Sequence, residues 1–157
     1  MLAWGGPALR TDMAMNSHFS QAQHYVGTPY LSGVYDCADL AAKVQHEVFG
    51  RVIALPAHRT RPAGARGQAR EVLGQRDQLA DRVDLPADGH AALLWEPDGE
   101  AGQDLRIWHV GTVFLHAGEI WVLHNSARLG SAALHRLADL RRWGMRLDGF
   151  YAWRAAA

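Results

Sequence analysis

The clearest structural signal in the chain is the stretch from residue 36 to residue 50, which reads DCADLAAKVQHEVFG. Its apolar residues recur at helical spacing and form one face: Leu40, Ala41, Val44 and Val48. Asp36 is a favoured residue at a helix N-cap, and Gly50 is a favoured residue just past a helix C-terminus. The pattern predicts a helix over residues 37–49 that packs one face on a core.

The segments on either side of this helix differ in their periodicity. A short helix is predicted over residues 17–25, and a second, more polar helix over residues 68–82. After Pro86, the apolar pattern predicts strands over residues 91–95, 107–115, 119–124, 129–134 and 145–153. A short helix is predicted over residues 137–143. This order predicts an α+β domain with its N-terminal helices packed on a small antiparallel sheet.

Length and composition predict one globular domain. The chain has 157 residues, of which 48% are hydrophobic and 20% are charged, and this balance suffices for a core. We expect residues 1–15 to be weakly structured and residues 16–157 to form the domain. The 16 basic and 16 acidic residues cancel, so no excess of positive charge indicates a nucleic-acid partner.

The sequence shows no pattern for membrane insertion or export. No segment approaches the roughly 18 apolar residues that a membrane span requires. Residues 1–20 lack the basic and apolar regions of a secretory signal peptide. We therefore expect a protein that is made in the cytoplasm and is not inserted in a membrane.

The only cysteine, Cys37, falls in the first turn of the predicted helix. One thiol cannot form an internal disulfide, and two interpretations stay open: a buried, inert thiol or a nucleophile. The unpaired N–H groups and the dipole at a helix start favour a thiolate, which predicts a lowered pKa for Cys37. Asp36 acts in the opposite direction unless its carboxylate turns to cap the helix.

Two histidines of the predicted hairpin are candidates for the base that a cysteine nucleophile needs. A tight turn at residues 117–118 pairs Gly111 with His124. His109 then lies on the same side of the hairpin as His124, about 7 Å away along the diagonal. This arrangement predicts Cys37 as nucleophile, His109 as base and a neutral His124 that fixes the tautomer of His109. The alternative is that each histidine is only a polar residue on a half-exposed strand.

The remaining histidines do not form a metal-binding pattern. They show no ligand spacing with Cys37 or with one another: His18, His24, His46, His58, His90, His116 and His135. We therefore predict no metal site and no cofactor.

Several segments, in the same order along the chain, resemble the NlpC-type cell-wall cysteine peptidases. They are YVGTPY at 25–30, Gly33, DCADL at 36–40, Leu55-Pro56, the turn Gly89-His90 with the strand at 91–95, WHVGT at 108–112, VLH at 122–124 and GFYAWR at 149–154. The resemblance covers about residues 20–154. No single segment would suffice, but the set is specific.

The resemblance implies a papain-like fold and hydrolysis of peptidoglycan stem peptides, often at the γ-D-glutamyl–diaminopimelate bond. By position, it implies that Cys37 is the nucleophile, His109 the base and His124 the orienting residue. It also implies that Tyr30 and Asp36 lie on the substrate and oxyanion side of the site. Ala38 and Asp39 stand where the family often has Ser-Gly, and an Arg-rich segment runs from residue 59 to residue 70. We expect these departures to affect which stem peptide fits the substrate groove, not the catalytic residues.

A short domain of this kind resembles the peptidases attached to phage tails or phage-like particles. This resemblance implies tail or particle proteins as partners and action at the cell wall or periplasm; contact-delivered toxins are a second route. Two other functions stay open at this point. One is muramoyl-alanine amidase or acyltransferase chemistry on the same fold. The other is a structural subunit of a tail assembly with a silent site.

Overall fold

The structure is a computed structural model that describes residues 18–56, 64–97 and 106–155, with the side chains of residues 64–70 left undescribed. The elements in chain order are α1 (Cys37–Phe49), α2 (Gly64–Leu79), β1 (Ala80–Val83), β2 (Ala91–Pro97), β3 (Arg106–His116), β4 (Glu119–Asn125), β5 (Ala132–Arg136), a 3-10 helix (Leu137–Trp143) and β6 (Arg146–Trp153). Residues 18–23 are also helical. The predicted α+β class is confirmed. The predicted N-terminal segment 1–15 and residues 59–63 of the Arg-rich segment lie outside the described residues.

The six strands form one antiparallel sheet in the order β1-β6-β2-β3-β4-β5. Helices α1 and α2 pack on one face, which we call the helix face. Its core contains Leu40, Val44, Phe114 and Leu123 in one cluster and Cys37, Ala41, Leu93, Val110 and Tyr151 in another. The opposite face is covered by the 3-10 helix, and its core contains Ala92, Leu94, Val113, Val122, Leu140, Met145 and Phe150. Because both faces are covered, β3 is buried along most of its length.

Helix α1 begins and ends where the sequence predicts. The Asp36 carboxylate accepts hydrogen bonds from the N–H groups of Ala38 and Asp39 at 2.9 and 3.2 Å. The Asp39 carboxylate accepts from the Asp36 N–H at 2.8 Å, which completes a capping box. Gly50 ends the helix in the left-handed region, at φ 64°. These caps fix the first turn of α1, where Cys37 lies.

The β3–β4 hairpin has the predicted register. Gly111 pairs with His124, and the turn falls at Ala117 and Gly118, whose φ angles of 51° and 75° are those of a type I′ turn. Strand β4 approaches β3 closely at Gly111, because a Cβ atom at residue 111 would lie 2.5 Å from the Val122 side chain.

Three predicted boundaries differ from the structure. The second helix ends at Leu79, and residues 80–83 form the edge strand β1 paired with β6. This strand has four residues and contains Asp81 and Arg82, so no apolar alternation reveals it. The strand predicted over residues 129–134 is β5 at Ala132–Arg136, and the short helix over 137–143 is a 3-10 helix. Within the described ranges, no helix combines the length and apolar character that crossing a membrane requires.

Candidate active site

Cys37 is the first residue of α1, and its side chain is only 4% exposed. It packs against Ala41, Leu93 and Val110 on the helix face. The backbone N–H groups of Val110 and Ala38 hydrogen-bond its sulfur. The helix therefore brings the thiol directly against strand β3.

The sulfur lies beside β3 just past the last pair of the β3–β4 ladder. The N–H and C=O groups of Val113 bond to residues 89 and 90, on the β2 side. Because these groups alternate in direction along a strand, those of Val110 point toward β4. The β3–β4 ladder has its last pair at Gly111 and His124. The Val110 N–H therefore makes no hydrogen bond in the β3–β4 ladder, and it is available to the Cys37 sulfur.

The protonation state of the thiol contradicts the sequence prediction. Burial, followed by the charge of Asp36, raises the pKa of Cys37 to about 12. The hydrogen bonds from Val110 and Ala38 act in the opposite direction but are weaker. Asp36 does turn to cap the helix, yet its charge still contributes to the rise. The prediction of a lowered pKa is wrong for this conformation, and the thiol is protonated at neutral pH.

His109 lies on the other face of the sheet. It pairs with Leu94 across β2 and β3, and Leu94 belongs to the core of the face opposite α1. Consecutive residues of a strand point to opposite faces, so the Val110 side chain meets Cys37 while the His109 side chain points away. No hydrogen bond joins Cys37 and His109. The predicted thiol–imidazole contact is therefore not formed, although the sulfur touches the residue next to His109.

The His109 ring faces a buried carboxylate. Its Nε2 atom is 3.5 Å from the Oε1 atom of Glu96, and both side chains are less than a tenth exposed. The other carboxylate oxygen of Glu96 is 3.7 Å from Nη1 of Arg128. Glu96 was not among the predicted site residues. The available signal was a carboxylate at the end of an otherwise apolar strand, in phase with Ala92 and Leu94.

His124 is on the same face as His109, as predicted. Its Nε2 atom is 3.0 Å from Nδ1 of His135, so the hydrogen bond expected with His109 is instead made with His135. Burial, followed by the charges of His135 and His109, lowers the pKa of His124 to about 3. His124 is therefore neutral at ordinary pH. The ring of His135 in turn stacks on Trp143, with centroids 4.6 Å apart.

The two remaining predicted site residues lie near the start of α1. The Tyr30 N–H donates to the Gly130 carbonyl at 2.9 Å, which places residue 30 beside the loop after β4. The Asp36 carboxylate accepts hydrogen bonds from the first turn of α1. This carboxylate therefore caps the helix, and its predicted place on the substrate side of the site stays a prediction.

A cavity lies beside Cys37 and is closed on one side by α2. Its lining comes from the start of α1, the segment after it and α2: Asp36, Cys37, Ala38, Leu55, Pro56, Glu71, Val72 and Gln75. A second, largely apolar cavity adjoins it through Ala38, Leu55 and Val72 and extends to Tyr151 and Trp153. Helix α2 therefore forms one wall of the cavity beside the thiol.

Asn125 is a second buried polar residue that the sequence did not reveal. It is fully buried at the end of β4, in phase with Leu123 and therefore on the helix face. Neither its carboxamide nitrogen nor its oxygen has a hydrogen-bond partner among the described residues. Continuing the β3–β4 register places Asn125 across from Val110, on the thiol side of the sheet.

The described residues do not bring together three or more His, Cys, Asp or Glu side chains in a metal-binding arrangement. No protein-family model, curated protein or solved structure matches the chain. A functional assignment therefore depends on the residues and geometry of the chain itself.

Proposed function

We propose that this chain is a cysteine hydrolase that cleaves peptidoglycan stem peptides, with Cys37 as nucleophile and His109 as base. One observation carries the proposal: Cys37 heads a capped helix, and its sulfur is hydrogen-bonded by the N–H of Val110, the residue that follows His109. The resemblance to the NlpC-type peptidases, with the same residue types in the same order, supports the papain-like fold and the γ-D-glutamyl–diaminopimelate bond as the target.

The proposed reaction has two steps. The Cys37 sulfur gives its proton to His109 and attacks the scissile carbonyl, and the resulting thioester forms as the leaving amine takes the proton from His109. Water, deprotonated by His109, then hydrolyses the thioester and releases the thiol. The backbone N–H of Cys37 and the dipole of α1 would stabilise the oxyanion of each step.

The proposal requires the site to open. In the closed form, α2 covers Cys37, and the imidazole of His109 points to the opposite face. Movement of α2 would admit the substrate and bring water to the sulfur. Burial is the largest cause of the raised pKa of Cys37, so the same movement would lower that pKa. Strand β3 would also have to shift at Val110, where the β3–β4 ladder ends, so that Nδ1 of His109 reaches the sulfur while Nε2 stays toward Glu96.

The second candidate is a structural tail-assembly subunit with a silent site. Two observations favour it: the 4% exposure of Cys37 and the position of His109 on the opposite face. In this case Cys37 is a core residue and His109 a buried polar residue. For the enzyme, we propose delivery by a phage tail or phage-like particle and action at the cell wall, on the strength of the resemblance to peptidases attached to such particles.

Product analysis on purified muropeptides tests the proposal. The full chain is incubated with diaminopimelate-type muropeptides, and the fragments are identified by mass spectrometry, with folded Cys37→Ala as the control. Cleavage after γ-D-glutamate by the wild type alone supports the proposal. Release of lactyl-linked stem peptide indicates an amidase, and transfer to an added amine indicates an acyltransferase. Intact muropeptides beside an active reference enzyme indicate the silent subunit.

A further inference from the structure

We propose that Glu96 is the positioning residue for His109: its buried carboxylate holds the imidazole with Nε2–H toward Glu96 and leaves Nδ1 free to take the proton of Cys37. This inference rests on the proposed function. It assigns the orienting role to the strand before His109 rather than to His124 on the strand after it.

The register of β2 and β3 places Glu96 and His109 side by side. His109 pairs with Leu94, and Glu96 pairs with Ile107, so the two side chains are diagonal neighbours on one face. Oε1 of Glu96 lies 3.5 Å from Nε2 of His109. This distance is just outside a good hydrogen bond, and a shift of about 0.5 Å would form one.

The contact between Glu96 and His109 matters for the state of the ring because both side chains are buried. Glu96 is 6% exposed and His109 is 4% exposed. His109 Nε2 and Glu96 Oε2 are both buried without a hydrogen-bond partner among the described residues. A buried carboxylate that lacks hydrogen bonds is costly, and the His109 ring nitrogen lies 3.5 Å from Oε1 of Glu96. Because a carboxylate only accepts, it selects the Nε2–H tautomer of the ring.

The other groups near His109 are less able than Glu96 to set the tautomer of its ring. His124 uses its Nε2 in the contact with His135, and its burial keeps it neutral. A neutral ring stabilises a protonated His109 less than a carboxylate does. Arg128 meets Glu96 on the exposed side, with more than half of its side chain in solvent. It therefore balances part of the Glu96 charge without contacting the reacting atoms.

The tautomer of His109 can be read without any activity. In protein labelled with ¹⁵N-histidine, the ring nitrogen shifts of His109, assigned with His109→Gln, distinguish Nε2–H from Nδ1–H. We expect Nε2–H in the wild type and in Glu96→Asp, and a mixture in Glu96→Gln, because an amide both donates and accepts. Glu119→Gln is the matched control, since Glu119 is half exposed and pairs with Arg136. An Nδ1–H ring in the wild type, or a ring unchanged in Glu96→Gln, overturns the inference.

Kinetics on muropeptides give the second readout. We expect Glu96→Gln to lower kcat by about 100-fold with little change in KM, and Glu96→Asp to recover part of the loss. Equal kcat in Glu96→Gln and wild type overturns the positioning role. If the wild type cleaves no muropeptide, the proposed function fails, while the tautomer measurement still decides whether Glu96 orients His109.

Discussion

Cys37 and His109 lie on opposite sides of strand β3, and the backbone N–H of Val110 is the group between them. The sulfur accepts from that N–H, whereas the His109 ring points to the other face beside Glu96. Because Val110 and His109 are consecutive and point to opposite faces of the sheet, the nucleophile and its proposed base lie on different faces. The two residues act on either side of Val110, just past the last pair of the β3–β4 ladder.

Alkylation of Cys37 should be slow until α2 is loosened. Val72 lines both cavities beside the thiol, so Val72→Ala should weaken the packing of α2 and raise the iodoacetamide rate on the order of tenfold near neutral pH. Gln78→Ala, on the exposed side of the same helix, is the control. Since Cys37 is the only thiol, intact-protein mass gives the rate directly. A wild-type rate equal to that of a free thiol would contradict the closed site.

Stability at alkaline pH should depend on Cys37. Its pKa is raised from 9.0 to about 12, first by burial, so the folded state favours the neutral thiol. This contribution is complete below pH 9 and is lost as the pH rises toward 12. The free energy of unfolding should therefore fall more steeply over this range in the wild type than in Cys37→Ala. Tyr25 and Tyr35 also have raised pKa values, but both proteins contain them. Parallel urea-denaturation curves across this range would show that the thiol is not buried.

Stability at acidic pH should depend on His124. Burial is the main cause of its pKa falling from 6.5 to about 3, so the folded state favours the neutral ring. This contribution is present above pH 6.5 and is lost as the pH falls toward 3. We expect His124→Gln to flatten the loss of unfolding free energy over that range, and the exposed His24→Gln to leave it unchanged. Thermal or urea unfolding at several pH values measures the difference.

The close approach of β4 at Gly111 should make that residue intolerant of a side chain. A Cβ atom there would lie 2.5 Å from the Val122 side chain and 2.9 Å from the Leu123 carbonyl oxygen. We expect Gly111→Ala to lower the free energy of unfolding by about 2–3 kcal/mol. Gly74→Ala in α2 has nothing within 4 Å and should stabilise the protein slightly. Equal stability of the two variants would contradict the register of the hairpin.

The features that the sequence predicts are those with local signals. Helix α1 carries its own caps and an apolar face, and the hairpin register follows from a tight turn at residues 117–118. Both were predicted with these bounds or pairings. The shared face of His109 and His124 follows from the same register and was also predicted.

The features that the sequence did not predict depend on contacts between distant segments. Cys37 is buried in a core cluster with Leu93, Val110 and Tyr151, which come from three strands, and no pattern near residue 37 encodes those contacts. The contact of Glu96 with His109 depends on the register of β2 against β3 across an intervening segment. Strand β1 exists because β6 pairs with it. In each case a tertiary contact, rather than a local preference, decides the outcome.

The most direct test of the central claim is to look for the covalent intermediate on Cys37. The full chain is mixed with a diaminopimelate-type muropeptide, quenched in acid at short times, and the peptide that contains residue 37 is weighed by mass spectrometry. We predict an added mass equal to the glutamyl side of the cut muropeptide, removable by hydroxylamine and absent in Cys37→Ala. A Cys37 peptide that stays unmodified while the muropeptide stays intact would contradict the account.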